Sequence, residues 1–265
     1  MSTLDGLQAK YQGLLEAIKQ NGPAAVAFSG GVDSTLLLKA ATDVFGAGVI
    51  AFHVRTPLQK PRVEERVKGI CQLFGCALQI VDLDPLSWPE FVENSRSRCY
   101  FCKKRIYAHL TSLLPPGSVL LDGTNIDDLG EDRPGLGAIR ELRVSIPLAE
   151  AGFVKNEIRT LGRELGLVNW DLPSESCLAT RIISGVRITP ELLRDVQAAE
   201  DFLEGQGFSA CRVRLDGCSA FISVSQGDSD RLLGKAQRDD VVNFLGKLNY
   251  TKVFLELSER PAILK

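Results

Sequence analysis

The sequence predicts an α/β protein with a parallel sheet and a second, smaller α+β domain. Three observations lead to this prediction. Short apolar runs alternate with amphipathic helical stretches over most of the chain. Near residue 185 the pattern changes to a helix followed by strands with alternating polarity. The 265 residues are 45% apolar and 24% charged, which suits a globular protein with one medium and one small domain. We therefore predict two domains, residues 1–185 and 186–265.

The first domain is predicted to place a parallel sheet between helices, because its strands and helices alternate. The helix at 6–20, for example, carries Leu7, Tyr11 and Leu14 on one face, and the helix at 62–74 stops at Gly75. The predicted helices cover residues 6–20, 35–45, 62–74, 103–114 and 154–165. The predicted strands cover residues 24–28, 48–54, 77–82, 118–123 and, as a short fifth strand, 145–148.

The second domain is predicted to begin with a helix capped by Thr189, with Pro190 at its first position, which runs to about Leu203. Two alternating runs at 210–215 and 220–224 then predict a hairpin with its turn at Asp216-Gly217. Helical segments within 228–247 and a last strand at 251–257 complete the predicted α+β domain.

The stretch Ser29-Gly-Gly-Val-Asp-Ser34 follows the first predicted strand and precedes a helix. Glycines let the backbone approach a phosphate, and the free amides and positive dipole end of a helix face the anion. The hydroxyls of Ser29 and Ser34 add donors, and Asp33 can orient a metal or cap the helix. The loop lies at the carboxyl end of a strand, where ligands bind in parallel sheets. The alternative is a glycine turn without a ligand.

This stretch differs from the Walker A loop, because no lysine precedes Ser34. It resembles instead the PP-loop of the ATP pyrophosphatases, so we expect an adenine nucleotide alpha hydrolase-like fold. The resemblance implies that ATP is split between its α- and β-phosphates. AMP would then be transferred to a carbonyl or carboxylate oxygen of the substrate, and pyrophosphate would stay in the loop.

Three of the seven cysteines form a candidate metal set. Cys99 and Cys102 are three residues apart, so both sulfurs can face one metal at a turn or helix start, and Cys177 follows 75 residues later. Three thiolates can hold three irons of a [4Fe–4S] cluster and leave the fourth iron open. A zinc site, a redox pair and unconnected buried thiols are the alternatives. Cys71 and Cys76 stand in apolar surroundings that favour a packing role.

A second polar loop, Gly123-Thr124-Asn125, follows the fourth strand, and Asp127-Asp128 after it can bind Mg²⁺. Arg133 could pair with a phosphate, and a solvated acidic turn is the alternative. Arginines facing a cleft suit an anionic substrate, although surface arginines are commoner. The arginines considered for that role are Arg181, Arg212 and Arg214.

Charge and termini exclude several classes of protein. The net charge of -2 lacks the basic footprint of a nucleic-acid binder. No apolar run approaches the roughly 20 residues of a membrane span, and the first residues lack the pattern of a signal peptide. We therefore expect a cytoplasmic protein that acts on a small-molecule nucleotide substrate.

Four segments together resemble the LarE family of ATP-dependent sulfur transferases: Ser29–Ser34, Gly123–Asp128, Arg133–Gly135 and Pro173–Arg181. The last segment is the most specific, since other PP-loop enzymes do not usually combine it with the rest. The resemblance implies that ATP binds with Mg²⁺ and that a pyridinium ring carboxylate attacks its α-phosphate. The AMP ester would then accept sulfur and become a thiocarboxylate, in the synthesis of the nickel-pincer nucleotide cofactor of lactate racemase.

The sulfur source divides this family. Members with only the cysteine that matches Cys177 give up its sulfur, whereas members with three cysteines resemble cluster proteins, and this chain has all three. The alternatives are tRNA thiolation, an amide-forming ligase of the NAD synthetase kind and a nucleotide sensor. The resemblance also implies a homo-oligomer.

The motifs and the family resemblance together give a set of candidate site residues. Catalytic roles are assigned to Asp33, Cys177 and Arg181, cluster ligation to Cys99, Cys102 and Cys177, and substrate binding to Arg181, Arg212 and Arg214. ATP and Mg²⁺ are assigned to Ser29, Gly30, Gly31, Asp33, Ser34, Gly123, Thr124, Asn125, Asp128 and Arg133.

Overall fold

The computed structural model describes residues 4–130, 134–173, 175–225 and 227–257. The chain forms two compact units. The first unit comprises Met1–Thr56, Pro61–Asp84 and Ser97–Ser174, and the second comprises Pro57–Lys60, Pro85–Arg96 and Glu175–Lys265. The second unit therefore includes two short segments from the first part of the sequence. The domain boundary at residue 185 stays a prediction.

The first unit contains a four-stranded sheet and eight helices among its described residues. Its strands are β1 (Ala24–Ala27), β2 (Ile50–Arg55), β3 (Ala77–Asp82) and β4 (Val119–Leu121). Its helices are α1 (Leu4–Gln20), α2 (Val32–Phe45), α3 (Arg62–Phe74), α5 (Arg98–Ser112), α6 (Ile126–Leu129), α7 (Gly135–Glu141), α8 (Pro147–Glu150) and α9 (Lys155–Glu164). Helix α4 (Pro89–Val92) belongs to the second unit.

The four strands are all parallel, in the order β3-β2-β1-β4, which confirms the predicted α/β fold. β1 is an inner strand, with Val26 opposite Ala51 of β2 on one side and Leu121 of β4 on the other. Its loop therefore leaves the middle of the sheet edge. The predicted fifth strand is wrong: Ser145 makes a single bridge to Leu121, and helix α8 follows. Pro147 has no amide hydrogen for a strand ladder but suits the first turn of a helix.

Apolar side chains cover both faces of this sheet. One cluster packs α1, α2, α3 and α9 against it, with Leu14, Leu37 and Ile158 fully buried. The other packs α5 and α7, with Leu110 buried among them. This double burial explains why β1 consists of four small apolar residues with no polar side chain.

The second unit contains a three-stranded sheet, in the order β5-β6-β7. Its elements are α4 (Pro89–Val92), α10 (Pro190–Gly205), β5 (Arg212–Asp216), β6 (Ser219–Ser223), α11 (Ser229–Leu233), α12 (Lys235–Lys247) and β7 (Lys252–Leu255). β5 and β6 form the predicted antiparallel hairpin, and β7 joins β6 in parallel. The Thr189 hydroxyl accepts a hydrogen bond from Leu192, as its capping role requires.

Over the described residues, no helix has both the length and the apolar content needed to cross a membrane.

Candidate active site

The glycine loop between β1 and α2 is shaped by Gly30. Its φ of +76° lies in the left-handed region that favours glycine. A Cβ atom on Gly30 would stand 2.8 Å from Cγ2 of Val67 on α3, so a side chain is excluded on two grounds. The loop backbone thus packs directly against α3.

The first turn of α2 presents backbone donors. Among the described residues, no group accepts the amide hydrogens of Val32, Asp33 and Ser34, the first three residues of the helix. The hydroxyls nearby are already arranged: Ser34 Oγ donates to the Gly31 carbonyl at 3.0 Å and lies 3.0 Å from Ser29 Oγ. Free amides at a helix N-terminus bind anions, so this geometry suits a phosphate.

Asn169, which the sequence analysis missed, anchors the glycine loop by hydrogen bonds from its side chain. Its Nδ2 donates to the Gly30 carbonyl and to Thr35 Oγ1, each at 2.9 Å. The Thr35 hydroxyl donates its own hydrogen to the Gly31 carbonyl, so it must accept from Asn169. This fixes the orientation of the Asn169 amide. No local pattern could reveal it, because Asn169 and Gly30 are 139 positions apart.

Asp33 faces Lys155, the first residue of α9, and the two form an ion pair. Burial raises the pKa of the Asp33 carboxyl above its usual value, while Lys155 and Arg159 oppose this and the nearby Asp128 adds to it. Asp33 Oδ1 is buried without a hydrogen-bond partner among the described residues. A buried carboxylate oxygen without a hydrogen-bond partner can coordinate Mg²⁺, and the nearby Asp128 carboxylate can supply a second ligand. Lys155 was also missed by the sequence analysis.

The Gly123-Thr124-Asn125 loop lies against the start of α2. A Cβ atom on Gly123 would stand 3.0 Å from the Ser34 amide nitrogen, so glycine permits this close approach. Asn125 and Asp128 form a capping box at the start of α6, with hydrogen bonds of 3.1 and 3.2 Å. The structure therefore brings together the two polar loops predicted from the sequence.

A buried network links this second loop to α5. Asp122 accepts hydrogen bonds from the Thr124 amide at 2.8 Å, from the Thr124 hydroxyl and from the Tyr107 hydroxyl. Lys103 Nζ lies 3.4 Å from Asp122 Oδ2. Burial alone would raise the pKa of Asp122, but Lys103, Thr124 and Tyr107 together lower it. Thr124, predicted as a cofactor-binding residue, is thus committed to Asp122 in this structure.

Cys99 and Cys102 lie on the first turns of α5, one turn apart on a helix that begins five residues earlier than predicted. Cys99 is exposed and Cys102 is partly buried. Lys103, next to Cys102, is the residue that reaches Asp122. The thiol pair and the Gly123 loop therefore belong to one connected region of the first unit.

Cys177 lies in the second unit, before a short 3₁₀ helix at Leu178–Arg181. Its thiol is partly buried. The Leu178 amide donates to the Leu58 carbonyl at 2.9 Å, which ties this segment to one of the short inserted stretches. The backbone around Cys177 is thus held by contacts within the second unit.

Arg181 is buried, and its Nε donates to Oε1 of buried Glu200 at 2.7 Å. Its Nη1 donates to the Ser176 carbonyl, the Cys177 carbonyl and Thr180 Oγ1, at 3.0, 3.4 and 2.8 Å. The guanidinium therefore braces the segment that carries Cys177. A substrate role for Arg181 stays a prediction.

The remaining assigned residues are placed as follows. Arg214 on β5 forms an ion pair with Glu256 at 2.8 Å, and Arg212 lies on the same strand. Arg133 lies outside the described residues. The substrate roles of Arg212 and Arg214 stay predictions.

In the part of the chain that the structure describes, no group of three or more His, Cys, Asp or Glu residues is gathered so that it could hold a metal ion. Three thiols have the donor chemistry of a cluster site, but Cys177 belongs to a different unit from Cys99 and Cys102. The cluster therefore stays a prediction.

Comparisons with known proteins extend over nearly the whole chain. No family model matches it. It is 32% identical over 254 residues to the pyridinium-3,5-bisthiocarboxylic acid mononucleotide synthase of Lactiplantibacillus plantarum, covering 95% of this chain and 91% of that protein. It is 33% identical over 253 residues to an uncharacterized protein of Synechocystis, covering 95% and 94%. A protein of Methanocaldococcus jannaschii, also uncharacterized, is 28% identical over 240 residues, covering 90% of each chain.

Proposed function

The chain belongs to the LarE family, and on that premise we propose that it is an ATP-dependent sulfur transferase. Its substrate would be pyridinium-3,5-biscarboxylic acid mononucleotide, whose carboxylates it would convert to thiocarboxylates for the nickel-pincer nucleotide cofactor of lactate racemase. The observation that carries the proposal is the glycine loop: the first three α2 amides have no acceptor among the described residues, and the Ser34 backbone packs against Gly123. The 32% identity to a synthase named for the bisthiocarboxylic product supports the choice of substrate.

Activation is the first half of the proposed reaction. ATP would place its phosphates on the amides of Val32, Asp33 and Ser34, where backbone donors need no reorganisation to receive charge. A substrate carboxylate oxygen attacks the α-phosphorus, an acyl adenylate forms and pyrophosphate leaves. Adenylation is needed because oxide is a poor leaving group and AMP is a good one. Asp33 and Asp128 would hold Mg²⁺, which neutralises phosphate charge when bound.

Sulfur transfer is the second half. A sulfur nucleophile attacks the acyl carbon and AMP leaves, which yields the thiocarboxylate. We propose that Cys99, Cys102 and Cys177 would together hold a [4Fe–4S] cluster, whose open iron would supply sulfide when the cluster is bound. In the chain itself, Arg181 would keep the Cys177 segment in place through its carbonyl contacts. Homo-oligomerisation also stays part of the proposal.

Product analysis tests the proposal. Anaerobically purified protein is incubated with MgATP, sulfide and the biscarboxylic mononucleotide, and the nucleotide is examined by mass spectrometry. We expect replacement of oxygen by sulfur that requires ATP. Recovery of an adenylated or unchanged nucleotide under all conditions would contradict a sulfur-transfer function.

The sulfur source can be determined separately, from the mass of the tryptic peptide that contains Cys177. Trypsin cleavage after Arg163 and Arg181 gives a peptide with Cys177 as its single cysteine. Cluster delivery predicts that this peptide keeps its sulfur after many turnovers and that the purified protein contains iron and sulfide. Conversion of Cys177 to dehydroalanine after one turnover, in iron-free protein, would overturn cluster delivery but retain the sulfur transferase.

A further inference from the structure

The end of helix α3 brings Cys71 and Cys76 together. Gly75 adopts the left-handed conformation, with φ of +66°. The Cys76 amide donates to the Cys71 carbonyl at 3.2 Å, and the Gly75 amide donates to the Gln72 carbonyl at 3.3 Å. These two bonds define a Schellman motif, in which the residues occupied here by Cys71 and Cys76 regularly bring their side chains into contact.

The two thiols are in direct contact. They hydrogen-bond to each other, and Cys76 Sγ also lies 3.8 Å from the Cys71 carbonyl oxygen. The hydrogen bond from Cys71 lowers the pKa of Cys76, whereas the same bond and burial raise the pKa of Cys71. Cys71 is 2% exposed, and Cys76 is only partly buried. One thiol is therefore reachable and inclined to ionise, and its neighbour is protected.

We propose that Cys71 and Cys76 form a thiol oxidation site that closes to an intramolecular disulfide with a peroxide as the oxidant. The Cys76 thiolate attacks the peroxide oxygen, the O–O bond breaks and a sulfenic acid forms on Cys76 as hydroxide leaves. The Cys71 sulfur then attacks the Cys76 sulfur, the S–O bond breaks and the sulfenic oxygen leaves as water. In sum, two thiols and one hydrogen peroxide give one disulfide and two water molecules.

The backbone already meets the requirements of the crosslink. A disulfide needs the two residues to be close, with their Cβ atoms facing each other. The hydrogen bond from the Cys76 amide to the Cys71 carbonyl supplies the closeness. Cys76 Sγ lies 3.8 Å from that same carbonyl oxygen, which places its side chain on the Cys71 side of the turn. Neither cysteine has a role in the proposed reaction, so this inference stands independently of the proposed function.

Peptide mapping tests it on the full chain. Trypsin cleavage after Lys68 and Arg96 gives a peptide that contains Cys71 and Cys76 and no other cysteine. The protein is treated with a small excess of hydrogen peroxide, denatured, alkylated and digested. We expect this peptide to lose both alkyl labels and two hydrogen atoms, and to regain both labels after reduction with dithiothreitol.

Two controls make the result specific. The Cys76→Ser variant should keep a labelled Cys71 after the same treatment. Cys211 and Cys218 stand at opposite ends of strand β5, too far apart for a disulfide, so their peptides should not become linked to each other. The proposal is overturned if the Cys71–Cys76 peptide keeps both labels while Cys218 is oxidised. It is also overturned if that peptide gains only sulfinic or sulfonic acids, or is linked to another peptide.

Discussion

Asn169 and Gly30 are joined by a hydrogen bond of 2.9 Å from the Asn169 amide to the Gly30 carbonyl. A second bond from the same nitrogen reaches Thr35, so one buried side chain fixes both ends of the glycine turn. The precise placement of the loop amides therefore depends on a residue that follows the last helix of the first unit.

Replacing Asn169 should weaken nucleotide binding. In Asn169→Ala the Gly30 carbonyl loses a buried donor, and we expect a loss of about 1–2 kcal/mol of binding free energy, roughly 5- to 30-fold in Kd. Isothermal titration calorimetry with MgATP measures this. Asn156→Ala, on the exposed side of α9, serves as the control and should bind as the unmodified protein does. Equal affinity in both variants would show that Asn169 does not position the loop.

Gly30→Ala should abolish ATP binding, because the new Cβ combines a left-handed backbone with a 2.8 Å approach to Val67. Gly22→Ala is a matched control: its φ of +79° imposes the same backbone strain, but no atom lies within 4 Å of the added Cβ. Both variants should lose about 1 kcal/mol of stability from backbone strain. Gly30→Ala should lose more than Gly22→Ala in urea unfolding, because its Cβ also clashes with Val67. Loss of ATP binding in both variants alike would contradict a specific role of the loop.

Lys155→Met should change the pH dependence of MgATP binding. Lys155 lowers the pKa of Asp33 against the effect of burial, so its removal lets that pKa rise. Since the proposed Mg²⁺ ligand is the ionised carboxylate, the midpoint of binding should move to higher pH. The measurement is Kd for MgATP across the acidic to neutral range. Lys10→Met, which removes a different partly buried pair with Glu157, should leave the midpoint in place. An unshifted midpoint in Lys155→Met would rule out this electrostatic role.

Asp122 should stabilise the fold above acidic pH. Its pKa is lowered in the folded chain, so its contribution is present above the unfolded value of about 3.9 and is lost as the pH falls below it. In Asp122→Asn we expect about 2–4 kcal/mol less stability at neutral pH, because Lys103 and Tyr107 lose their buried acceptor. Urea unfolding at several pH values should show the difference narrowing at acidic pH. Glu141→Gln, at an exposed pair, should have a small effect. A pH-independent difference would contradict the ionised state of Asp122.

The local part of the site could be predicted from the sequence. The strand, loop and helix around Ser29–Ser34 are determined by contiguous residues, so their periodicity and glycines suffice. The Gly123 loop was predicted for the same reason. The helix at Arg62–Phe74, with Gly75 after it, was predicted to the residue.

The missed residues act over long sequence separations. Asn169 and Lys155 contact the loop and Asp33 from 139 and 122 positions away, and neither has an unusual neighbourhood in the sequence. The segments at 57–60 and 85–96 belong to the second unit, and no change in amino-acid composition marks them in the sequence. The site residues that the sequence analysis missed are therefore those whose roles are decided by three-dimensional contacts.

The nucleotide products of the reaction distinguish adenylation of the substrate from every other use of ATP. Anaerobically purified protein, Mg²⁺, sulfide and ATP labelled at the α-phosphate are incubated with and without pyridinium-3,5-biscarboxylic acid mononucleotide, and pyrophosphate and phosphate are assayed separately. We expect AMP and pyrophosphate in equal amounts only when the mononucleotide is present, with Gly22→Ala active and Gly30→Ala inactive. Formation of ADP and phosphate, or of AMP at the same rate without the mononucleotide, would contradict it.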